Sequence, residues 1–190
     1  NTMISREDTW HIEVGTGGTL SETLTRTIKN SSDNSVHAGG YQTYLRFYIP
    51  VESTNVAVSI DGTLIERRIK SDGPVSVPYW ELSDILGDKH AIGVALKVPQ
   101  RSETRITVSF THVNPLALGT DGGLIELSIP RQPGTGETKT AISIDYPSGY
   151  RPRSFQMEPS VLLANPGRLE YNTLLSEPKN IYIRLGRLYE

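Results

Sequence analysis

Short stretches in which apolar and polar residues alternate run through most of this chain, and Gly, Pro, Asp or Asn separates them. The clearest stretch spans residues 41–49. Its odd-numbered positions are mostly apolar and include Tyr41, Leu45, Phe47 and Ile49. Its even-numbered positions are Gln42, Tyr44, Arg46 and Tyr48. Because successive side chains of a strand point to opposite faces of a sheet, this pattern predicts strands that cover a core, and therefore an all-β protein.

Similar stretches predict roughly a dozen strands along the chain, as expected for antiparallel β-sandwiches. Asp61-Gly62 lies between two of them and predicts a two-residue hairpin turn. Pro50 predicts the end of the strand before it, because proline has no N–H for the ladder. The exception is Trp80–Leu86, whose apolar spacing fits one or two helical turns closed by Gly87.

A segment rich in Pro and Gly, Asn114–Gly123, predicts a boundary between two strand-rich halves. We expect a β-sandwich domain at residues 1–115, a linker at 116–119 and a smaller β-sandwich domain at 120–190. Tandem immunoglobulin-like antiparallel β-sandwiches are the predicted fold, and one larger β-sandwich is the alternative. The second half, at about 70 residues, is close to the lower limit for independent folding, so we expect it to pack on the first.

The formal net charge of the chain is −2, its sequence pI is near 6.1 and it contains no Cys. Nucleic-acid binding depends on clustered cations, so this charge argues against a nucleic-acid partner. No apolar run approaches the roughly 18 residues of a membrane helix, and we expect no membrane contact from this stretch. Because the sequence opens at Asn1, with a Met only at position 3, we expect it to be part of a longer protein.

The sequence contains none of the short motifs that mark catalytic sites. Gly134–Thr140 resembles a phosphate-binding loop, but Thr138 stands where that loop needs a glycine. One enzymatic hypothesis remains, a hydrolase that uses Glu81, Asp84 and Asp88, because glycoside hydrolysis needs paired carboxylates across a cleft. These acids are more simply solvated, so we predict no catalytic residue and no enzymatic activity.

The residues that most often bind metals are scattered in this sequence. Its four histidines are His11, His37, His90 and His112. They follow no metal-ligand spacing, although His11 and His112 could converge across neighbouring strands. We therefore expect no metal and no cofactor.

Two covalent modifications have matching residue patterns. Asn30-Ser-Ser32 fits the acceptor pattern for N-glycosylation, which matters only in a eukaryotic secretory route. Lys29 and Asn180, with Glu126 as an assisting acid, are nominal partners for an isopeptide cross-link. Nothing in the sequence marks these residues as buried together, and we expect neither modification.

The polar side of the stretch 41–49 is the candidate recognition surface. Tyr44 and Tyr48 lie on either side of Arg46 and would share one face of the strand. Amphipathic aromatic side chains can stack on sugar rings or contact a partner protein. We predict that Tyr44, Arg46 and Tyr48 bind a protein partner or a cell-wall glycan. The alternative is that this face packs against the other domain or a loop.

Several stretches resemble one family. Residues 41–50 resemble its Y-x-x-Y-x-R-x-Y-V-P strand, and residues 97–104 resemble its V-P-P-G-E-S turn. Residues 130–135 are similar to its K-Q-P-G-T, and residues 169–175 with 181–184 resemble its last two strands. The family is a group of large bacterial proteins carried as a domain of unknown function. Its members have an N-terminal membrane helix, a helical middle region and a C-terminal β part.

This resemblance implies a module outside the cytoplasm, at the cell surface, in a protein anchored to a membrane. The chain departs from the family pattern at Gln100-Arg101 and in a longer stretch from Lys70 to Asp88. The resemblance implies no catalytic residue. We therefore predict a non-catalytic structural or protein-interaction module, with carbohydrate or cell-wall binding as the alternative.

Overall fold

The computed structural model describes residues 3–33, 40–68, 78–86, 88–114, 116–119, 122–129, 137–156 and 162–188. Within these residues the chain forms fourteen strands and no helix, so the all-β prediction is confirmed. The strands, in chain order, are β1 Ile4–Val14, β2 Leu20–Asn30, β3 Tyr41–Pro50, β4 Ser53–Ile60, β5 Thr63–Leu64, β6 Tyr79–Leu86, β7 Lys89–Val98, β8 Ser102–His112, β9 Gly123–Ile129, β10 Thr138–Asp145, β11 Tyr150–Gln156, β12 Leu162–Asn165, β13 Arg168–Leu175 and β14 Lys179–Arg187.

The strands of the described residues form three sheets. The longest has the order β12-β13-β10-β1-β2-β8-β4-β5. The other two have three strands each, in the orders β11-β14-β9 and β3-β7-β6. In both three-stranded sheets the middle strand is antiparallel to both of its neighbours. This pairing is what short alternating strands joined by turns predict.

Contacts divide the chain into two compact units. Unit 1 comprises Asn1–Glu7 and Leu24–Phe110, and unit 2 comprises Asp8–Thr23 and Thr111–Glu190. The strands β1, β2 and β8 each contribute residues to both units.

This division differs from the predicted domain ranges mainly at residues 8–23. These residues group with the C-terminal half because β1 neighbours β10 in its sheet. Sequence order therefore does not reproduce the grouping of the contacts. The division at the linker 116–119 remains a prediction.

Unit 1 contains a core in which the predicted alternation is realised. On β3, Leu45, Phe47 and Ile49 are buried, whereas Tyr44 is 37% exposed. Buried side chains of the neighbouring strands complete this core: Ile28, Val58, Trp80, Ile92, Val94, Leu96, Val98, Ile106, Val108 and Phe110. Burial of this apolar surface is the main stabilising contribution expected for such a unit.

Unit 2 is built in the same way. On β10, Ile142 pairs with Tyr171 and Ile144 pairs with Leu169, and all four side chains are buried. On β9, the buried Ile125 and Leu127 pair with buried isoleucines at 183 and 181 of β14. Apolar pairs directly opposite each other stabilise neighbouring strands.

The helical turns predicted at Trp80–Leu86 are wrong. The segment is strand β6, in which Trp80 pairs with Val94 and Leu82 pairs with Ile92. The pairing shifts between Ser83 and Ile85, as in a β-bulge. This shift breaks the alternation of apolar residues, and the resulting spacing resembles that of a helix.

The turn predicted at Asp61-Gly62 is confirmed. Both residues have positive φ, 49° for Asp61 and 82° for Gly62, and Ile60 pairs with Thr63 across the turn. Asp61 Oδ1 also accepts a hydrogen bond from the backbone N–H of Arg105, at 2.8 Å. This combination is typical of a tight hairpin of the I′ type.

Some of the predictions concern residues outside those that the structure describes. They include His37, the first part of the phosphate-loop-like segment at 134–136, and the family-like residues 130–135. In the described part of the chain, no helix has the length and apolar character of a membrane span.

Candidate interaction surface

The predicted recognition residues lie on the outward face of the β3-β7-β6 sheet in unit 1. Between Lys89 and Lys97, the middle strand β7 presents three small residues there: Ala91, Gly93 and Ala95. The outer strands present large ones. Tyr44 of β3 and Tyr79 of β6 both pair with Ala95, and Arg46 and Glu81 both pair with Gly93. The sheet therefore brings together two residues of β3 and two of β6.

The small residues of β7 allow long side chains to lie across the sheet. A Cβ atom on Gly93 would clash with the hydroxyl of Tyr44, so the absence of a side chain there makes room for that ring. From this position the Tyr44 hydroxyl donates a hydrogen bond to Glu81 Oε1, at 2.8 Å. Tyr44 thus spans the sheet from β3 to β6.

The environment of Tyr44 favours its protonated form. Burial of the phenol, together with its hydrogen bond to the Glu81 carboxylate, raises the pKa of Tyr44 from 10.0 to about 12. The nearby guanidinium of Arg46 acts in the opposite direction, but its effect is smaller. Tyr44 is therefore a neutral hydrogen-bond donor at physiological pH.

Tyr44 and Tyr79 each have an arginine against the ring. The Arg46 guanidinium lies 5.8 Å from the centre of the Tyr44 ring, and the Arg68 guanidinium lies 5.1 Å from the centre of the Tyr79 ring. Arg68 reaches this place because its backbone N–H donates to the Trp80 carbonyl, at 2.8 Å. Residues 65–68 thus lie beside β6. Such distances allow cation–π attraction.

We call Tyr44, Arg46, Arg68, Tyr79 and Glu81 the tyrosine–arginine face. Sequence analysis found Tyr44 and Arg46 from their position on one strand. It missed Tyr79, because only the pairing of β6 with β7 brings that residue to this sheet, and it missed Arg68, because a backbone hydrogen bond to Trp80 places it there. The small residues at alternate positions 91, 93 and 95 were the available sequence signal that large side chains of neighbouring strands could lie across this strand.

The third predicted residue lies further along the same sheet. Tyr48 pairs with Ala91, two residues beyond the position that Arg46 faces, and its side chain is half-buried. Tyr44 and Arg46 are exposed. Tyr44, Arg46 and Tyr48 therefore share one face, as their spacing predicts, but they differ in how much surface they offer.

The acids of the hydrolase hypothesis do not lie on a helical turn. Glu81 is on β6 and accepts the hydrogen bond of Tyr44, while Asp88 is exposed in the turn before β7. Asp84 lies at the bulge of β6, between Ser83 and Ile85. The helical arrangement that would have grouped these acids is absent from the described residues.

A buried polar group in unit 2 was not foreseen. Glu22 is 4% exposed and accepts a hydrogen bond from Trp10 Nε1 at 2.7 Å. Its other oxygen lies 2.5 Å from His112 Nε2. A buried carboxylate needs such partners, so these contacts stabilise Glu22 inside the unit. Its place on β2, among alternate apolar residues, was the signal in the sequence.

A second polar group lies on a more exposed part of unit 2. His11 Nδ1 is 3.0 Å from Ser143 Oγ, and its Nε2 is 3.7 Å from Asp145. Arg168 donates to both oxygens of Asp145, at 3.2 and 3.3 Å, and to Glu170 at 2.8 Å. The two carboxylates raise the pKa of Arg168. The hydrogen bond to Glu170 is the largest cause, and the negative charge of Asp145 is the next. With His11 42% and Asp145 37% exposed, we interpret this group as a surface ion network.

The two histidines considered for a metal site therefore lie in different groups. His11 contacts Ser143 and Asp145, whereas His112 contacts Glu22. Over the described residues, no three side chains of His, Asp or Glu are arranged to hold a metal ion.

The structure also shows how buried the residues of the two possible covalent modifications are. Asn30 is 1% exposed, and its side-chain amide donates to the Val98 carbonyl at 3.2 Å, so the group that a glycan would occupy is buried. Lys29, Asn180 and Glu126 are all exposed. An isopeptide bond assisted by a buried acid does not fit exposed residues.

Comparison with known proteins shows similarity of fold. No protein-family model and no curated protein matches the chain. A crystal structure of a candidate nutrient-binding protein from Legionella pneumophila is similar, with a TM-score of 0.52 and 8% identity. That match covers 97% of this chain and 67% of the other. At this identity the likeness shows a shared fold alone.

The other similar structures include an M1 zinc metallopeptidase from Deinococcus radiodurans, with a TM-score of 0.42 and 11% identity. A mutant of that enzyme bound to a Tyr-Ser-Ala substrate has a TM-score of 0.46 and 12% identity. Each match covers 95% of this chain and 42% of the metallopeptidase. The chain thus spans less than half of that enzyme.

Proposed function

We propose that this chain is a non-catalytic binding module whose tyrosine–arginine face binds a partner protein. The observation that carries the proposal is the pair of tyrosines on either side of Ala95, each with an arginine against its ring. Tyr and Arg are enriched at protein interfaces and supply much of their binding energy. The small residues of β7 leave room for these large side chains to lie across the sheet.

The contacts of Glu81 favour binding over catalysis. Its carboxylate accepts a hydrogen bond from the hydroxyl of Tyr44, whose pKa is raised to about 12, so Tyr44 keeps its proton at neutral pH. A general base has to release and accept protons near the operating pH. Glu81 therefore serves better as a support for Tyr44. Assays with ester, glycoside and peptide substrates test this point, and turnover that depends on Glu81 would contradict it.

We also propose that the module is an immunoglobulin-like tandem of β-sandwiches outside the cytoplasm, in a protein anchored to a membrane. The sequence resemblance supports the location, and the antiparallel β11-β14-β9 and β3-β7-β6 sheets support the sandwich arrangement. The full-length gene product tests the location. A membrane helix upstream of Asn1 is expected, and a complete reading frame without one would contradict the proposed anchoring.

Carbohydrate binding is the second candidate function. Tyr44 lies over Gly93 and remains 37% exposed, which is the arrangement of an aromatic ring on which a sugar can stack. An arginine already contacts that ring, so protein binding is the better-supported function. A glycan array with the chain and its Tyr44→Ala and Tyr48→Ala variants tests this candidate. Absence of binding to every polysaccharide on the array would count against carbohydrate binding.

The protein-binding proposal is tested by selecting peptides from a random library displayed on phage. We expect peptides that bind the unmodified chain and lose binding to the Tyr44→Ala and Arg46→Ala variants. Arg151→Ala is the matched control, because Arg151 is exposed on β11 in the other unit. Peptides that bind all four proteins equally, or no enriched peptides at all, would contradict the proposal.

A further inference from the structure

The edge of the β3-β7-β6 sheet indicates a partner for unit 1. We infer that β3 pairs along this edge with the β3 strand of a second copy, antiparallel and about a two-fold axis at Leu45. This pairing goes beyond the proposed function, because it uses the edge of the sheet and not the tyrosine–arginine face. Three observations carry it: the open side of β3, the regularity of that strand and the residues that a two-fold axis brings opposite each other.

The first observation is that β3 is an edge strand with polar backbone groups on its outer side. In the described part of the chain, β7 is its one strand neighbour. Leu45 is 0% and Ile49 1% exposed, and buried N–H and C=O groups have to be paired, so theirs point to β7. Because this direction alternates along an antiparallel strand, the backbone groups of Gln42, Arg46 and Tyr48 point to the open edge. Gln42 and Arg46 are exposed, as this direction requires, and Tyr48 is half-buried.

The second observation is that β3 lacks the features by which proteins protect an edge strand from further pairing. Such features include prolines, bulges, inward-pointing charges and short length. β3 pairs with β7 without a register shift from Tyr41 to Pro50, and this proline is its last residue. The edge strand β11, in contrast, contains Pro152 and a register shift, and the edge strands β5 and β12 have two and four residues. The edge of β3 is therefore suited to pairing with another strand.

The third observation is the match that a two-fold axis at Leu45 gives. Two antiparallel copies then place Gln42 opposite Tyr48 and Tyr44 opposite Arg46, each in both directions. No two like charges meet in this register, so it avoids the repulsion that destabilises strand pairs. Because Tyr44 makes further contacts within its own chain, the register rests on the Gln42–Tyr48 pairs on either side of the axis.

Other two-fold registers of β3 are less favourable. An axis at Arg46 sets the two Arg46 side chains against each other, and like charges directly opposite destabilise a strand pair. An axis at Phe47 places Tyr44 opposite Pro50, whose nitrogen has no hydrogen to donate. The same construction on the edge strand β9, with an axis at its central residue, sets Glu126 against Glu126. A second copy therefore fits β3 in one register and is disfavoured on β9.

Sedimentation equilibrium of the whole chain tests the pairing. We expect an average mass that rises with concentration from 21.0 kDa towards twice that value. Gln42→Pro removes an N–H from the open edge and leaves the hydrogen bonds to β7, so this variant should fold. Its dissociation constant for the dimer should be about tenfold higher, because each copy loses a hydrogen bond to the other. Gln42→Ala keeps the N–H and is the matched control, with an unchanged dissociation constant.

Cysteine cross-linking tests the register, since the chain contains no Cys of its own. The inferred register puts residue 42 of one copy within disulfide distance of residue 48 of the other. The two copies of residue 42 are instead about 20 Å apart along the extended strands. We therefore expect an oxidised mixture of Gln42→Cys and Tyr48→Cys chains to form cross-linked dimers, and either variant alone to form few.

A mass that stays at 21.0 kDa at every concentration would overturn the inference. So would a Gln42→Pro variant that dimerises as tightly as Gln42→Ala, or equal cross-linking in the mixture and in the separate variants. If circular dichroism shows Gln42→Pro unfolded, the cross-linking result decides. If the chain is monomeric while peptides selected on phage still depend on Tyr44 and Arg46, the proposed function stands and this inference falls.

Discussion

At the scale of single residues, Gly93 and Tyr44 depend on each other. The Tyr44 hydroxyl occupies the space that a Gly93 side chain would need. We predict that Gly93→Ala displaces Tyr44 from Glu81 and lowers the free energy of unfolding by about 1 kcal/mol, the contribution of one hydrogen bond. Urea unfolding measures this change. Gly149→Ala is the control, since no atom lies within 4 Å of its added Cβ, and equal effects of both would contradict the account.

The titration of Tyr44 provides a second test. The pKa of Tyr44 in the folded chain is about 12, against 10.0 for an ordinary phenol. The folded state therefore holds its proton more tightly than the unfolded state, so this group stabilises the fold below pH 10 and that contribution is lost between pH 10 and 12. Ultraviolet difference titration of the chain against Tyr44→Phe should show one phenol ionising near pH 12. Ionisation near pH 10 would contradict the described contact.

The buried Glu22 gives a third prediction. Its removal takes an acceptor from the Trp10 indole N–H and from His112 Nε2 inside unit 2. We expect Glu22→Ala to lower the free energy of unfolding by about 2 to 4 kcal/mol, measured by urea unfolding. Glu13→Ala, on the exposed side of β1, should change it by less than about 0.5 kcal/mol. Similar values for the two variants would argue against a structural role for Glu22.

At the scale of elements, the start of β9 depends on one glycine. Gly122 has a φ of 86°, and a Cβ there would clash with the Leu185 carbonyl of β14. Gly122→Ala should therefore lower the free energy of unfolding by about 2 kcal/mol or more. Gly119→Ala is the control, because no atom lies within 4 Å of a Cβ added at Gly119. Thermal unfolding of this variant should differ little from that of the unmodified chain. A harmless Gly122→Ala would contradict this pairing of β9 with β14.

The elements also show what a sequence can and cannot predict. β3 was predictable because its buried residues alternate without interruption, and the turn at Asp61-Gly62 was predictable because those residues tolerate positive φ. β6 was not predictable, because its bulge interrupts the alternation on which strand prediction depends. The places of Tyr79 and Glu81, two of the five residues of the tyrosine–arginine face, were hidden for the same reason, since both belong to β6.

Arg68 could not be placed from sequence for a different reason. It reaches the tyrosine–arginine face through a backbone hydrogen bond to Trp80, and no local pattern encodes such a contact between segments. The same holds for the partnership of Glu22 with His112, which are ninety positions apart in the sequence. Local patterns predicted the strands and their faces. Contacts that depend on how strands pair required the structure.

At the scale of the whole molecule, the grouping of residues 8–23 with the C-terminal half has a testable consequence. A fragment of residues 1–115 contains Trp10 but lacks β10, the neighbour of β1. We predict that Trp10, 7% exposed in the whole chain, becomes exposed in that fragment. With Trp80→Phe in both proteins, the fluorescence of the fragment should shift to longer wavelength. An unshifted spectrum would instead support an independent domain at 1–115.

The central claim of this account is that the outward face of the β3-β7-β6 sheet is a binding surface. The most direct test is a nuclear magnetic resonance titration of the isotope-labelled chain with the best peptide from the phage selection. The account predicts that shifted backbone amides cluster in β3, β6, β7 and residues 65–68, and that Arg46→Ala abolishes the shifts. Shifts that cluster in the β11-β14-β9 sheet, or that persist in Arg46→Ala, would contradict it.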